Sequence, residues 1–160
     1  MFKIGDYIAH PMHGAGVIES IVTKKINGAQ RDYYVLKLPV GDMVVMVPVS
    51  GCEDIGVRSI ISRSEAEKLF SAFSEIEISM TQNWNKRYRE NMDKIKSGNL
   101  LDVASVVKGL MCRDSERGLS TGERKMLHSA KQILISELVI ATDMDYDGVE
   151  KRLCAALKEG

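Results

Sequence analysis

The sequence predicts a β-then-α chain of two domains: a small β-barrel over residues 1–61, then an all-α domain of about five helices over residues 62–160. Three observations predict it. All three prolines (Pro11, Pro39 and Pro48) fall in the first half. That half is rich in Val, Ile and Gly and is cut repeatedly by tight-turn signals. Beyond Pro48 no proline interrupts the chain, so helical periodicity can run unbroken.

The strands follow in order. Asp6 to Pro11 ends in a turn, and Gly14-Ala15-Gly16 opens the run Val17 to Val22. Asn27-Gly28 is a strong hairpin signal, because both residues accept positive φ. It leads into Arg31 to Leu38. A turn over residues 39–42 precedes Met43 to Pro48, and Ile55 to Ile60 supplies a closing strand. Short strands joined by tight turns in so few residues indicate an SH3- or Tudor-like barrel. Such barrels bind partners through their edges and loops.

The helices come next. Ser64 to Phe73 carries acids in its first turn, which suits the positive end of a helix. Residues 74–80 read as a linker. A helix from Asn83 to Ser97 is stopped by Gly98. Asn99 can cap the next, whose Leu100, Val103, Val107 and Leu110 share one face. Gly118 ends it. Ser120-Thr121-Gly122-Glu123 has the form of a capping box and opens a long helix that buries Leu127, Ala130, Leu134 and Leu138. A last helix after Asp147 buries Val149, Leu153, Ala156 and Leu157.

Composition limits the function classes. Hydrophobic content of 44% and charged content of 28% are ordinary for a folded chain. No long apolar run or signal-peptide pattern occurs, so a cytoplasmic protein without a membrane partner is expected. Three widely spaced cysteines argue against a disulfide framework or a zinc cluster. Asp143-x-Asp145-x-Asp147-Gly148 imitates half of a calcium loop, but Cys154 stands where the closing bidentate acid belongs. His10 and His13 lack further ligands nearby, His128 sits mid-helix, and no nucleophile elbow or dinucleotide fingerprint is present. The expectation is a non-enzyme with no cofactor, no metal and no small-molecule substrate.

Charge is more informative. The chain is neutral overall, yet residues 81–130 hold ten Lys/Arg against six Asp/Glu, a local balance of +4. Lys86, Arg87 and Arg89 directly follow Trp84, the single tryptophan, and Arg124 and Lys125 lie at the start of the long helix. A flat indole beside cations suits a wedge against an opening duplex, with the cations on phosphates. The same indole could instead fill the seam between the two halves. Neither basic group has the Asn/Gln/Arg array of a base-reading helix, so an operator-specific repressor is not expected. An interaction module that binds protein alone is the other alternative.

The chain resembles the CarD-like bacterial transcription regulators over nearly its whole length, and its first half resembles the RNA-polymerase-interacting domain of transcription-repair coupling factor. The residues that carry the resemblance are Gly5-Asp6, His10-Pro11-Met12-His13-Gly14-Ala15-Gly16, Tyr34-Val35-Leu36-Lys37, Asn83 to Arg89, and Arg113 to Leu127. It implies a regulator that docks on the β subunit of RNA polymerase and contacts promoter DNA, without sequence specificity, at the upstream edge of the transcription bubble. There it would stabilise the open complex and would join the nucleoid only through polymerase. Trp84 matches the family's minor-groove wedge, and Lys86, Arg87 and Arg89, with Arg124 or Lys125, match phosphate contacts. Lys24 and the strand carrying Met43, Val45, Met46 and Val47 match the polymerase-docking surface. Some relatives carry an arginine where Met46 stands, so a contact made here is expected to be apolar.

Overall fold

The computed structural model describes residues 2–39, 43–78 and 82–159. Turn chemistry organises the β half. Asn27 (φ 51°) and Gly28 (φ 81°) both take left-handed backbone, the requirement of a two-residue hairpin. They join β2 (Gly14–Ile26) to β3 (Ala29–Lys37). β2 is longer than its apolar run indicated, because pairing continues to Ile26↔Ala29, with a register shift between Ile18 and Ser20. β1 (Tyr7–His10) pairs with β2 and with a two-residue β5 (Arg58–Ser59), and β4 (Val44–Pro48) pairs with β3. The antiparallel sheet runs β4-β3-β2-β1-β5. Of the expected turn at 39–42, residues 40–42 lie outside the described residues.

Inward residues of these strands, Ile8, Ile18, Tyr34, Leu36 and Val47, make one core with Val57, which precedes β5. The Tyr34 hydroxyl donates to the Phe2 carbonyl at 3.1 Å and accepts from the Phe2 amide at 3.2 Å, so the buried ring has its polar tip satisfied.

Among the described residues five helices follow: α1 (Arg63–Phe73), α2 (Trp84–Lys96), α3 (Leu100–Arg117), α4 (Thr121–Thr142) and α5 (Tyr146–Glu159). The chain thus has the β-then-α layout that its sequence predicts. α1 opens on a complete capping box between Ser62 and Glu65. Its C-terminal end is held by Lys108, only 6% exposed, whose Nζ donates to the carbonyls of Ser74 and Ile76 at 2.8 Å each. A cation is favoured at that negative helix end. The start of the expected linker is therefore tied down, while residues 79 and 80 lie outside the described residues. Asn83, Asn99 and Ser120 cap α2, α3 and α4. Of the acidic run, Asp143 (φ 62°) closes α4, and Asp145 caps α5 by accepting the Gly148 amide at 2.7 Å.

Phe70, Phe73, Val107, Leu110, Leu134, Leu138 and Leu153 centre the helical core. Leu127, Ala156 and Leu157, expected inside it, pack half-buried at its rim, and Met126 takes the inward position beside Leu127. α5 is fastened to α1 by Arg152, which clasps the Glu67 carboxylate and lies 4.1 Å over the Phe70 ring.

The halves meet on α4. Gly14 (φ 95°) lies so close that a Cβ would stand 2.5 Å from Ser136 Oγ and 3.2 Å from Ile133 Cα. Ser136 Oγ accepts the Ala15 amide at 2.9 Å and donates to the Ile133 carbonyl. The next residue, Glu137, is 1% exposed. Its carboxylate accepts both terminal nitrogens of Arg58, at 2.7 and 3.0 Å, and the Ile61 amide at 2.8 Å. Arg58 Nε also donates to the Gly98 carbonyl at 3.2 Å.

Candidate nucleic-acid interface

Asn83 accepts the Lys86 amide at 3.0 Å, which fixes the start of α2 and puts Trp84 in its first turn. One turn on, Tyr88 lies on the same helix face. The two rings stack with centroids 5.3 Å apart and planes 20° from parallel. The indole Nε1 donates to Ser120 Oγ at 3.4 Å, and a Cβ on Gly122 would rest 3.5 Å from its six-membered ring. Trp84 therefore spans the starts of α2 and α4. It is 44% exposed, and among the described residues its stacking and hydrogen-bond partners, Tyr88 and Ser120, belong to the helical half, whereas the seam is formed by Gly14, Arg58, Ser136 and Glu137. The seam-filler reading of Trp84 is set aside by this placement.

Two helix N-termini converge at this corner, and each carries a partial positive charge. Lys86 and Arg89 on α2 and Arg124 and Lys125 on α4 are all exposed, with the helical phase turning Lys86 and Arg89 to the side of α2 away from Trp84. Arg124 is steadied by its Nε, which donates to the Leu119 carbonyl at 3.2 Å. The corner thus joins a flat apolar face to two helix starts, and solvent-facing cations stand in the first two turns of both helices.

Arg87 departs from the expectation. It is buried, with Nε 3.0 Å from Glu123 Oε2 and a terminal nitrogen donating to the Gln82 carbonyl at 3.1 Å. Successive helical residues turn by about 100°, so Arg87 points away from Arg89 and inward with Asn91 and Ile95. It does not present its guanidinium to a phosphate. Glu123 also faces Arg113, with 3.7 Å between Nε and Oε1. In the Ser120–Glu123 cap, Ser120 Oγ accepts the Glu123 amide at 3.2 Å and donates to the Glu123 carboxylate at 3.4 Å, and that carboxylate also faces the two arginines. Tyr88, Ser120 and Glu123 are the site residues that charge counting missed. The i, i+4 spacing of two aromatics was the available signal for Tyr88.

The expected docking surface also divides. Along β4, Val44 and Met46 are exposed, Val45 is half-buried, and Val47 is fully buried in the sheet core. Val47 therefore cannot meet a partner through its side chain. The pairing register puts Met46 opposite Val35 and Lys24 opposite Arg31, and the two-residue period places Lys24 and Met46 on one outward face. Met43, just before the strand, is exposed and accepts a hydrogen bond at Sδ from Gln132 of α4 at 3.5 Å.

Among the described residues no cluster of three or more His, Cys, Asp or Glu is arranged to hold a metal, and no helix is long and apolar enough to cross a membrane. Residues 2–61 match the CarD-like/TRCF RID domain, and residues 68–154 match the CarD C-terminal domain. The chain is similar to a Bacillus subtilis (strain 168) protein named "Putative transcription factor YdeB", with 38% identity over 140 residues. That match covers 88% of this chain and 92% of the relative.

Proposed function

The chain belongs to the CarD family, and from that membership we propose how this regulator of transcription acts with RNA polymerase. The outward face of the sheet, with Lys24 on β2 and Met46 on the outer strand β4, docks on the polymerase β subunit. The corner of Trp84, Lys86, Arg89, Arg124 and Lys125 then lies against promoter DNA at the upstream edge of the bubble. The indole slows bubble collapse there, and the cations hold phosphates without reading bases.

The exposed Trp84, stacked on Tyr88 between the starts of two helices that both carry solvent-facing cations, carries this reading. Four phosphate contacts give only weak non-specific affinity, with Kd on the order of 10⁻⁴–10⁻⁶ M at physiological salt. Attachment to polymerase raises the local DNA concentration to about millimolar, so a weak grip suffices. A net gain of about 1.4 kcal/mol would shift the open/closed ratio tenfold. The test is open-complex lifetime with Trp84→Ala protein. A shortened lifetime with polymerase co-purification intact supports the wedge. A wild-type lifetime would leave the chain as a protein-interaction module only.

A further inference from the structure

We infer that Glu137 is a positioning residue: its buried clamp on Arg58 and Ile61 holds the sheet at a fixed orientation to Trp84, and the effect on the open complex depends on that rigidity. The inference rests on the docking-and-wedge reading above. Three features of the clamp carry it. First, the carboxylate takes three N–H donors from residues 58 to 61, the segment where the chain passes from sheet to helix. It thus pins the hinge about which the halves would otherwise swing. Secondly, the Arg58 pairing is bidentate, a planar geometry that fixes orientation as well as distance. Only the Glu137 end is buried, since the Arg58 side chain is one-third exposed, so the carboxylate is the part of the pair fixed in place by the helical core.

Thirdly, the clamp and the wedge share one rod. Ser120, which accepts the indole N–H, and Glu137, which holds the hinge, lie at either end of α4's first 17 residues, about 26 Å along the axis. A second contact one residue from the clamp, Ala15 to Ser136, ties β2 to the same rod. The distance from docking surface to wedge is therefore set by a helix rather than by a linker. Effective concentration peaks when a connection matches the span of its two sites, and it falls when the connection loosens.

The experiment uses full-length Glu137→Gln protein and reads open-complex lifetime while protein concentration is raised until polymerase is saturated. A variant that is only less stable recovers the full lifetime at saturation, because the folded fraction can be replenished. A mispositioned wedge does not recover. The expected result is a lifetime gain reduced about threefold or more at saturation, with polymerase affinity unchanged and amide exchange accelerated at Ile61. Full wild-type lifetime at saturation overturns the inference. Arg58→Lys, which keeps one donor, gives the same readout should Glu137→Gln fail to fold. Trp84→Ala run in parallel separates the claims. If it too keeps the full lifetime, the wedge reading has failed; if only Glu137→Gln keeps it, the coupling alone has failed.

Discussion

Arg87 of α2 and Glu123 of α4 meet inside the helical half, 3.0 Å apart, with side chains only 3% and 5% exposed. Arg113 of α3 approaches the same carboxylate, so one acid joins three helices directly beneath the Trp84 corner. Removing Arg87 leaves the buried carboxylate with Arg113 alone of the two cations, at a cost below the roughly 3–5 kcal/mol of a fully uncompensated buried charge but above about 1 kcal/mol. Arg87→Ala should lower the urea midpoint accordingly. A loss below about 1 kcal/mol would show that the pair is not the strut described here.

Lys86 and Arg89 make the opposite prediction. Both are exposed, so alanine at either should leave the unfolding midpoint nearly unchanged. Each should instead lower the slope of log K against log salt for duplex DNA by about 0.9. Fluorescence anisotropy across a salt series checks this. Loss confined to particular sequences would argue for base reading instead.

Gly14→Ala combines two penalties. The residue sits at φ 95°, and a methyl would collide with Ser136 Oγ and press on the α4 backbone. A destabilisation of about 2 kcal/mol or more is expected. Thermal unfolding should show one transition at lower temperature, since sheet and helices share α4. An unchanged Tm would mean that the β2–α4 contact yields readily.

His10 sets a pH dependence. Burial, helped by the neighbouring His13, holds its pKa below the ordinary imidazole value of 6.5. Its Nδ1 also accepts the Met12 amide at 3.0 Å, which requires the unprotonated nitrogen. The unfolded chain therefore binds the proton more readily, so this contribution to stability is present above about pH 6.5 and is lost as pH falls below it. His10→Asn, which can still accept the Met12 amide, should flatten stability between about pH 7 and 5. A wild-type slope in that variant would assign the dependence to another group.

Local rules made most of the architecture legible. Asn27-Gly28, the helix caps and the apolar stripes act over a few residues, and each names its own element. The Trp84 corner was half legible. Its cations are visible as a run, but only helical phase separates Arg89, which faces solvent, from Arg87, which shares a face with Asn91 and Ile95. Val47 differs from its expected docking role for a similar reason, since alternation along β4 turns it inward while Met46 points out. Glu137 was not legible at all as a clamp. Its partner Arg58 is 79 residues away, and the only local hint is a polar Ser136-Glu137 pair set in the apolar run from Ile133 to Ile140.

The bond from the Ile61 amide to Glu137 has a practical consequence for genetics on this protein. Severing the chain near residue 61 looks natural from its modules, yet each fragment would emerge with a raw surface. One would keep a guanidinium stripped of its counter-charge, and the other a carboxylate stranded among leucines and isoleucines. Deletions would then report poor foldability and be misread as lost recognition. Single exposed substitutions, made in the intact chain, are the cleaner instrument.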